Sequence, residues 1–557
     1  MKRASCFRLA GLVACTFPGF VFACSSGDAG PSPVPTATTT APTVTKACTA
    51  VSETRCAGAY VETCTADAAG NLSWGTKARC PNPTQVCKNA RCSDANPKAV
   101  AQVPDMARVT TFLLDYHPWR GPVDEPKVLE DAELALLSGD GSGESFFRVA
   151  QAAFRAVPGG HSGIYSLHTP TNETACGGKP DDKIAMSTAS WHGVCTSVSG
   201  DEIVVSRRLD TANIDLMPGE RIVAVRDGAV SYEGKGMLDA LGELPICAPT
   251  QPFAPAARDV TAASILSLAK PGWILRVKNL AGAERDVTVP ARLDKAISCG
   301  DSFNRSPGVD GFSVTLRPDG YLVVWLKTFG STQTRPLPSP LTTAAYKDWV
   351  AGRIQDLQTE LAKYPSAKGI VWDVRGNTGG SQDLAIALAM GSKAPSQRGG
   401  LVKCLARKGR THPAEFEPTS TPPNGDSTKV LPGPELDGID ALFSYTGKQV
   451  VVSNGNIYSA SDLFVFAAKK AGLKVVGRSG PGAYGASAGA PRKTLPSFIV
   501  EGIPIYTYVS GWSCVDGAGT PIEGNPPAVD VAVELASQDL AAGIDTQVEE
   551  AIKVLGP

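Results

Sequence analysis

The sequence predicts an α/β protein whose C-terminal half is a mixed sheet covered by helices. Two patterns carry this reading. Between residues 320 and 555, short apolar runs alternate with amphipathic stretches, the pattern of strands layered under helices. Upstream, residues 193–295 break into short β-rich runs, and a dense cluster of cysteines precedes them. The length of 557 residues allows about three domains. Hydrophobic residues make up 43% and charged residues 19%, which supports a large core and excludes global disorder. The formal net charge of −1 offers no basic excess for a nucleic-acid backbone, so no nucleic-acid partner is expected.

The elements follow in chain order. Residues 1–23 read as an export signal: Lys2 and Arg3 precede the apolar stretch Leu9 to Phe22, which is too short and too interrupted by Pro18 to span a membrane well. It ends in Val21-Phe22-Ala23-Cys24, which resembles the bacterial lipobox. That resemblance implies acylation at Cys24, with ordinary signal cleavage nearby as the alternative; any membrane attachment would be through lipid. The implied location is exported, in the bacterial cell envelope (periplasmic, or surface-exposed on an outer-membrane lipid anchor) or secreted.

Residues 24–46 are a Pro/Thr-rich linker that cannot bury a core. Residues 47–93 form a small disulfide-rich module with Cys48, Cys56, Cys64, Cys80, Cys87 and Cys92, and its pairing is left open. With no C-x-x-C pair and no histidine inside it, a zinc site is not expected. Cys176, Cys195, Cys247, Cys299, Cys404 and Cys514 are further disulfide candidates.

Residues 100–170 read as helical, within an N-terminal part ending at 192. Glu144 to Val157 places Phe146, Phe147, Ala150 and Phe154 on one face, and Pro158-Gly159-Gly160 ends it. In the 193–295 region, strands are expected at Glu202–Ser206, Arg221–Val225 and Trp273–Val277. Leu216 to Ile222 resembles the LxxGDxI turn of PDZ domains, which capture peptide termini on a strand edge. In the 296–557 core the expected strands are Tyr321–Leu326, Gly369–Val374, Gln449–Ser453 and Leu473–Val476. Helices are expected at Tyr346–Lys363 and from Ser459 to about Ala471.

Two segments carry chemistry. Asp373-Val374-Arg375-Gly376-Asn377-Thr378-Gly379-Gly380 follows a buried strand. Tyr458-Ser459-Ala460-Ser461-Asp462 follows another and opens a helix. A serine at a strand-to-helix turn presents its hydroxyl beside unpaired helix N–H groups, which can stabilise an oxyanion. The pair resembles the DLRxNxGG and SASE motifs of the C-terminal-processing (tail-specific) serine peptidases. The resemblance implies a ClpP/crotonase-like layered core and a serine endopeptidase acting on proteins or peptides. Ser459 would be its nucleophile rather than Ser461. The amide of Ala460 and that of Gly379 or Gly380 would form the oxyanion hole.

Many members place a lysine base about 25 residues after the serine. Here Gly477 to Ala483 contains no lysine and is similar to the histidine-using branch that includes the tricorn core and retinoid-binding-protein-like members. Gly160-His161-Ser162 is similar to that branch's GHT/GHS motif, so His161 is the expected base, ahead of His168. Ile522 to Asp530 resembles an EGxGVxPD motif and implies Glu523 as the third member, with Asp516 second. The alternative is a peptidase fold without full activity that serves as an envelope scaffold or adhesin.

Two other matches are discounted. Gly480 to Gly485 spells G-x-G-x-x-G without a following helical pattern, and Ser267 to Lys270 spells S-x-x-K without partner motifs. No cofactor and no metal are expected. Oligomeric state and the role of the 400–447 insert stay open.

Overall fold

The computed structural model describes residues 48–57, 59–117, 123–157, 159–166, 189–228, 230–242, 253–294, 297–299, 311–339, 343–393, 401–406, 428–431, 443–484, 493–509 and 512–556. The expected signal, linker and Cys24 lie outside this set, as do Cys176, Cys247, His168 and most of the 400–447 insert. Among the described residues, no helix is long and apolar enough to cross a membrane.

The cysteine-rich module is two small antiparallel sheets, Thr54–Ala57 with Tyr60–Ala66 and Leu72–Trp74, and Gln85–Lys88 with Arg91–Asp94. Cys48–Cys64, Cys56–Cys87 and Cys80–Cys92 close it. Each bond is worth about 2–4 kcal/mol, chiefly by restricting the unfolded chain. The module's own core is little more than Ala59, Val86 and Ala95, and it is completed by Leu134 and Leu137 of the next domain. The module is therefore seated on the helices rather than free of them.

Three capped helices follow: Pro97–Tyr116, Glu125–Ser138 and Gly143–Ala156. Asn96, Asp124 and Ser142 accept hydrogen bonds from Lys98 N, Lys127 N and Ser145 N, satisfying orphan donors of the first turns. Phe146, Phe147, Ala150 and Phe154 form the buried face predicted by the spacing. They pack with Met106, Val109 and Phe112 and with the hairpin Lys493–Val500/Ile503–Val509. The helical reading of 100–170 fails after Ala156. Gly163–Ser166 is a strand, because it pairs antiparallel with Ile503–Val509, a partner more than 300 residues away. No local pattern announces such a partner.

Residues 194–288 form an antiparallel sheet in the order Glu284–Thr288, Ile274–Lys278, Arg221–Asp227, Glu202–Arg208, Val194–Ser199, with Val230–Glu233 added beside Arg221–Asp227. The helices Met237–Gly242 and Ala254–Leu268 cover one face around Leu216, Ile222, Leu241, Ile265 and Leu275. The turn expected at 216–222 is present: Gly219 has φ +87°, and Met217 N donates to Glu220 Oε2 at 2.8 Å. Cys195–Cys299 ties the first strand to the chain just after the domain. Ser267 lies in the last turn of its helix.

The core sheet runs Phe312–Leu316, Leu322–Leu326, Gly369–Asp373, Lys448–Ser453, Lys474–Gly477, Val531–Ala532, antiparallel in its first pair and parallel thereafter. Strand side chains alternate between faces. Ile370 and Trp372 therefore join Phe443, Phe464 and the helices Thr343–Leu361, Gln382–Ala389 and Ala460–Lys470 on one side. Val371, Val450 and Val452 meet Ala551 of the helix Thr546–Leu555 on the other. Parallel strands buried on both faces read as unbroken apolar runs, which is why Gly369–Asp373 and Lys448–Ser453 were legible. Val402–Ala406, Thr428–Leu431 and Trp512–Asp516 add a small antiparallel sheet in which Cys404 stands opposite Cys514, itself disulfide-bonded.

The end of the central strand is fixed by a buried charge network. Arg375, 1% exposed, donates to Asp373 from Nε and Nη2. It also donates to Asp545 from both terminal nitrogens and to Gln547 Oε1 at 2.9 Å. Asp545 also caps the helix Thr546–Leu555. Removing the cation leaves two carboxylates without their buried partner. We expect Arg375→Ala to cost about 3–5 kcal/mol in denaturant unfolding with disulfides intact; a loss below about 1 kcal/mol would show that the network does not hold the strand end.

Candidate active site

The strand Lys448–Ser453 leads through residues 454–458 into Ser459, which has φ 60° and ψ −120° and immediately precedes the helix Ala460–Lys470. A positive φ is costly for serine and persists only when the surroundings enforce it. Ser459 occupies the N-cap position, yet its side chain makes no capping hydrogen bond. Its hydroxyl is thus not engaged as an ordinary cap. Ser461 is wholly buried inside the helix's first turn.

The glycine motif lies against this turn. A Cβ on Gly379 would fall 2.6 Å from Ser459 Cβ and 2.9 Å from Ala460 N, and one on Gly380 would fall 2.1 Å from Gly330 N. Both glycines also have positive φ, 101° and 134°. Neither position has room for a side chain. Asn377, fully buried, organises the approach. Its Nδ2 donates to Leu326 O at 2.8 Å, its Oδ1 accepts from Gly379 N at 2.8 Å, and its carbonyl accepts from Tyr458 N at 2.9 Å. The Gly379 N–H is thereby occupied. Among the described residues the N–H groups of Gly380 and Ala460 make no hydrogen bond, so one donor remains available on each of the two segments that meet at Ser459.

His161 comes from the other end of the chain. It too has a positive φ of 60° and is buried. Its backbone N–H donates to Tyr458 Oη, and the two rings lie 4.6 Å apart. The residue before the serine therefore holds the histidine. Glu523, 1% exposed, accepts from Gly160 N with Oε1 and from Tyr484 N with Oε2 at 2.9 Å. The segments carrying Ser459, His161, Glu523, Gly379, Gly380 and Ala460 are thus brought together. Asp516 is occupied in its own turn, accepting from Ala518 N and Thr520 N at 2.9 Å each.

Sequence reasoning assigned no role to Asp462 or Tyr458. Asp462 is buried at the third position of the helix. It accepts from Gly482 N at 3.0 Å, Ala483 N at 3.2 Å and the Ser459 backbone N–H. The signal was present: an acidic residue three after a serine N-cap is half of a capping box. Tyr458 left no comparable signal, since its partner is a backbone group some 300 residues away. Arg478, in the segment without a lysine, is ion-paired to Asp259 and Glu534. Gly480 to Tyr484 has no regular structure. Among the described residues no cluster of His, Cys, Asp and Glu could hold a metal ion.

Burial pushes the Asp462 carboxyl up to about 7 against its three N–H donors. Its folded pKa lies above the unfolded value. Its contribution to stability is complete below about pH 4 and is lost as pH rises through about 7. We expect the Tm gap between the protein and Asp462→Asn to narrow from pH 5 to pH 8; parallel pH slopes would show that Asp462 does not titrate there.

Residues 331–505 match the model of peptidase family S41. Among solved structures, mature CPAF complexed with lactacystin is 15% identical with a TM-score of 0.54, over 82% of this chain and 98% of its own. Mature CPAF is 14% identical with a TM-score of 0.51, over 82% and 97%. At that identity the likeness is one of fold. No curated protein matches the chain in sequence.

Proposed function

We propose that this chain, whose residues 331–505 match the model of peptidase family S41, is a serine endopeptidase of the C-terminal-processing type. It cleaves proteins or peptides through an acyl-enzyme on Ser459. The observation that carries the reading is the strained, uncapped Ser459 turn with the His161 segment seated on Tyr458 next to it.

In this reading His161 takes the proton from Ser459 Oγ as the hydroxyl attacks the scissile carbonyl, then delivers it to the leaving amine. Glu523 orients the 160–161 segment and stabilises the imidazolium. The oxyanion is held by the N–H groups of Gly380 and Ala460. Gly379 serves instead as the glycine that lets the loop approach, because its own N–H is bound to Asn377. Water then hydrolyses the ester, with His161 as base again. A basic side chain at 478 does not replace the histidine: Arg478 is tied to two carboxylates, Asp259 and Glu534.

The β-rich domain would present peptide to this site in the manner of a PDZ-like module, with the 216–222 turn as its supporting feature. Disulfides in two separate parts of the chain support an oxidising compartment, in keeping with export and a lipid anchor at Cys24 in the cell envelope.

The test is cleavage of casein and of tailed peptides by the purified protein. We expect Ser459→Ala and His161→Ala each to lower kcat by about ten-thousand-fold, and Glu523→Gln to lower it by a hundredfold or more. Cleavage that survives Ser459→Ala would remove the nucleophile. A folded parent that binds peptides but never cleaves them would favour the envelope scaffold or adhesin.

A further inference from the structure

One buried carboxylate reaches the nucleophile loop from outside the core. Asp259 lies on the helix Ala254–Leu268 of the β-rich domain, and its side chain is 3% exposed. Its Oδ2 accepts from Gly455 N at 2.6 Å, and its Oδ1 from Arg478 Nε at 2.9 Å. A Cβ on Gly455 would fall 2.6 Å from this carboxylate, so the loop is shaped to admit it.

Both partners lead directly to the site. Gly455 is flanked by Asn454, whose Oδ1 accepts from Gly376 N of the glycine motif and from Asn456 N, and Ser459 follows four residues later. Arg478 donates its backbone N–H to Ser453 O at the end of the strand. It opens the segment whose Gly482 and Ala483 hold Asp462. Asp259 thus clamps together the two core segments that flank the nucleophile turn.

As a device for stability alone it is a poor one. Burial pushes the Asp259 carboxyl up to about 6 even against the Arg478 guanidinium, with Glu534 opposing on the far side of that cation. A well-packed apolar pair would hold two domains together at least as well. What an apolar pair cannot do is fix the direction of the Gly455 N–H.

We propose that Asp259 is a positioning residue for the Ser459 loop, so that docking of the 193–294 domain on the core is what sets the nucleophile turn in its reactive geometry. This rests on the reading of Ser459 as nucleophile. The experiment compares the full protein with Asp259→Ala and Asp259→Asn by hydrogen exchange over residues 453–463, by the rate of Ser459 labelling with a fluorophosphonate, and by kcat and KM. For Asp259→Ala we expect exchange of the 455–458 amides to quicken about tenfold and labelling and kcat to fall at least about tenfold. KM should stay within about twofold and Asp259→Asn, which retains an acceptor, should recover part of the loss. Parental exchange and labelling in Asp259→Ala would overturn the proposal, as would a lowered Tm with unchanged labelling. Should Asp259→Ala fail to fold, slowed labelling in a folded Asp259→Asn supports the proposal and parental labelling overturns it. A parent that neither labels nor cleaves sinks the nucleophile reading separately, and hydrogen exchange alone then decides whether Asp259 orders the loop.

Discussion

A serine held at φ 60° and ψ −120° costs about 1–3 kcal/mol relative to relaxed backbone, and such a residue persists only where its neighbours leave no alternative. The surroundings of Ser459 meet that condition. Gly379 presses on it with no Cβ to spare, Asn377 O takes the Tyr458 N–H, and Asp462 takes its own N–H from within the helix it opens. The helix cannot slide back into the turn, because Phe464 and Leu463 are locked into the core beside Trp372. Each part of the site depends on this one turn being imposed rather than preferred.

The polar groups that impose it are buried and paired one by one. Asn377 spends its side-chain amide, its side-chain oxygen and its carbonyl on three different segments. Arg375 joins the end of the central strand to the cap of the last helix, and Asp259 joins the β-rich domain to the loop before the serine. Buried charges of this kind contribute little net stability, since desolvation offsets most of their attraction. Their effect is directional. A backbone N–H aimed at a carboxylate fixes a loop more tightly than apolar contact does, and loops fixed in this way suit a site whose reacting atoms must be held closely.

Tyr458 shows how economically the two halves are joined. It belongs to the Ser459 turn, but its hydroxyl accepts the backbone N–H of His161 and its ring lies beside the imidazole. The histidine's own positive φ is therefore stabilised by the neighbour of the serine. Glu523 closes the same arrangement from the far side through Gly160 and Tyr484.

The sequence by itself determined what local physics determines. Unbroken apolar runs marked the doubly covered strands at 369–373 and 448–453, and the 3.6-residue spacing of Phe146, Ala150 and Phe154 marked their helix. Composition marked the disulfide module. The glycine and serine motifs, through their resemblance to those of a known peptidase family, pointed to Ser459, Gly379 and Gly380. Only the tertiary structure decided the rest. It paired the six clustered cysteines, turned residues 163–166 from helix to strand, bound the Gly379 N–H to Asn377, and put Asp259, Tyr458 and Asp462 to use. The physical reason is the same throughout. These outcomes depend on a partner hundreds of residues away, or on which of several equivalent donors is left free, and neither is a property of any short stretch of chain.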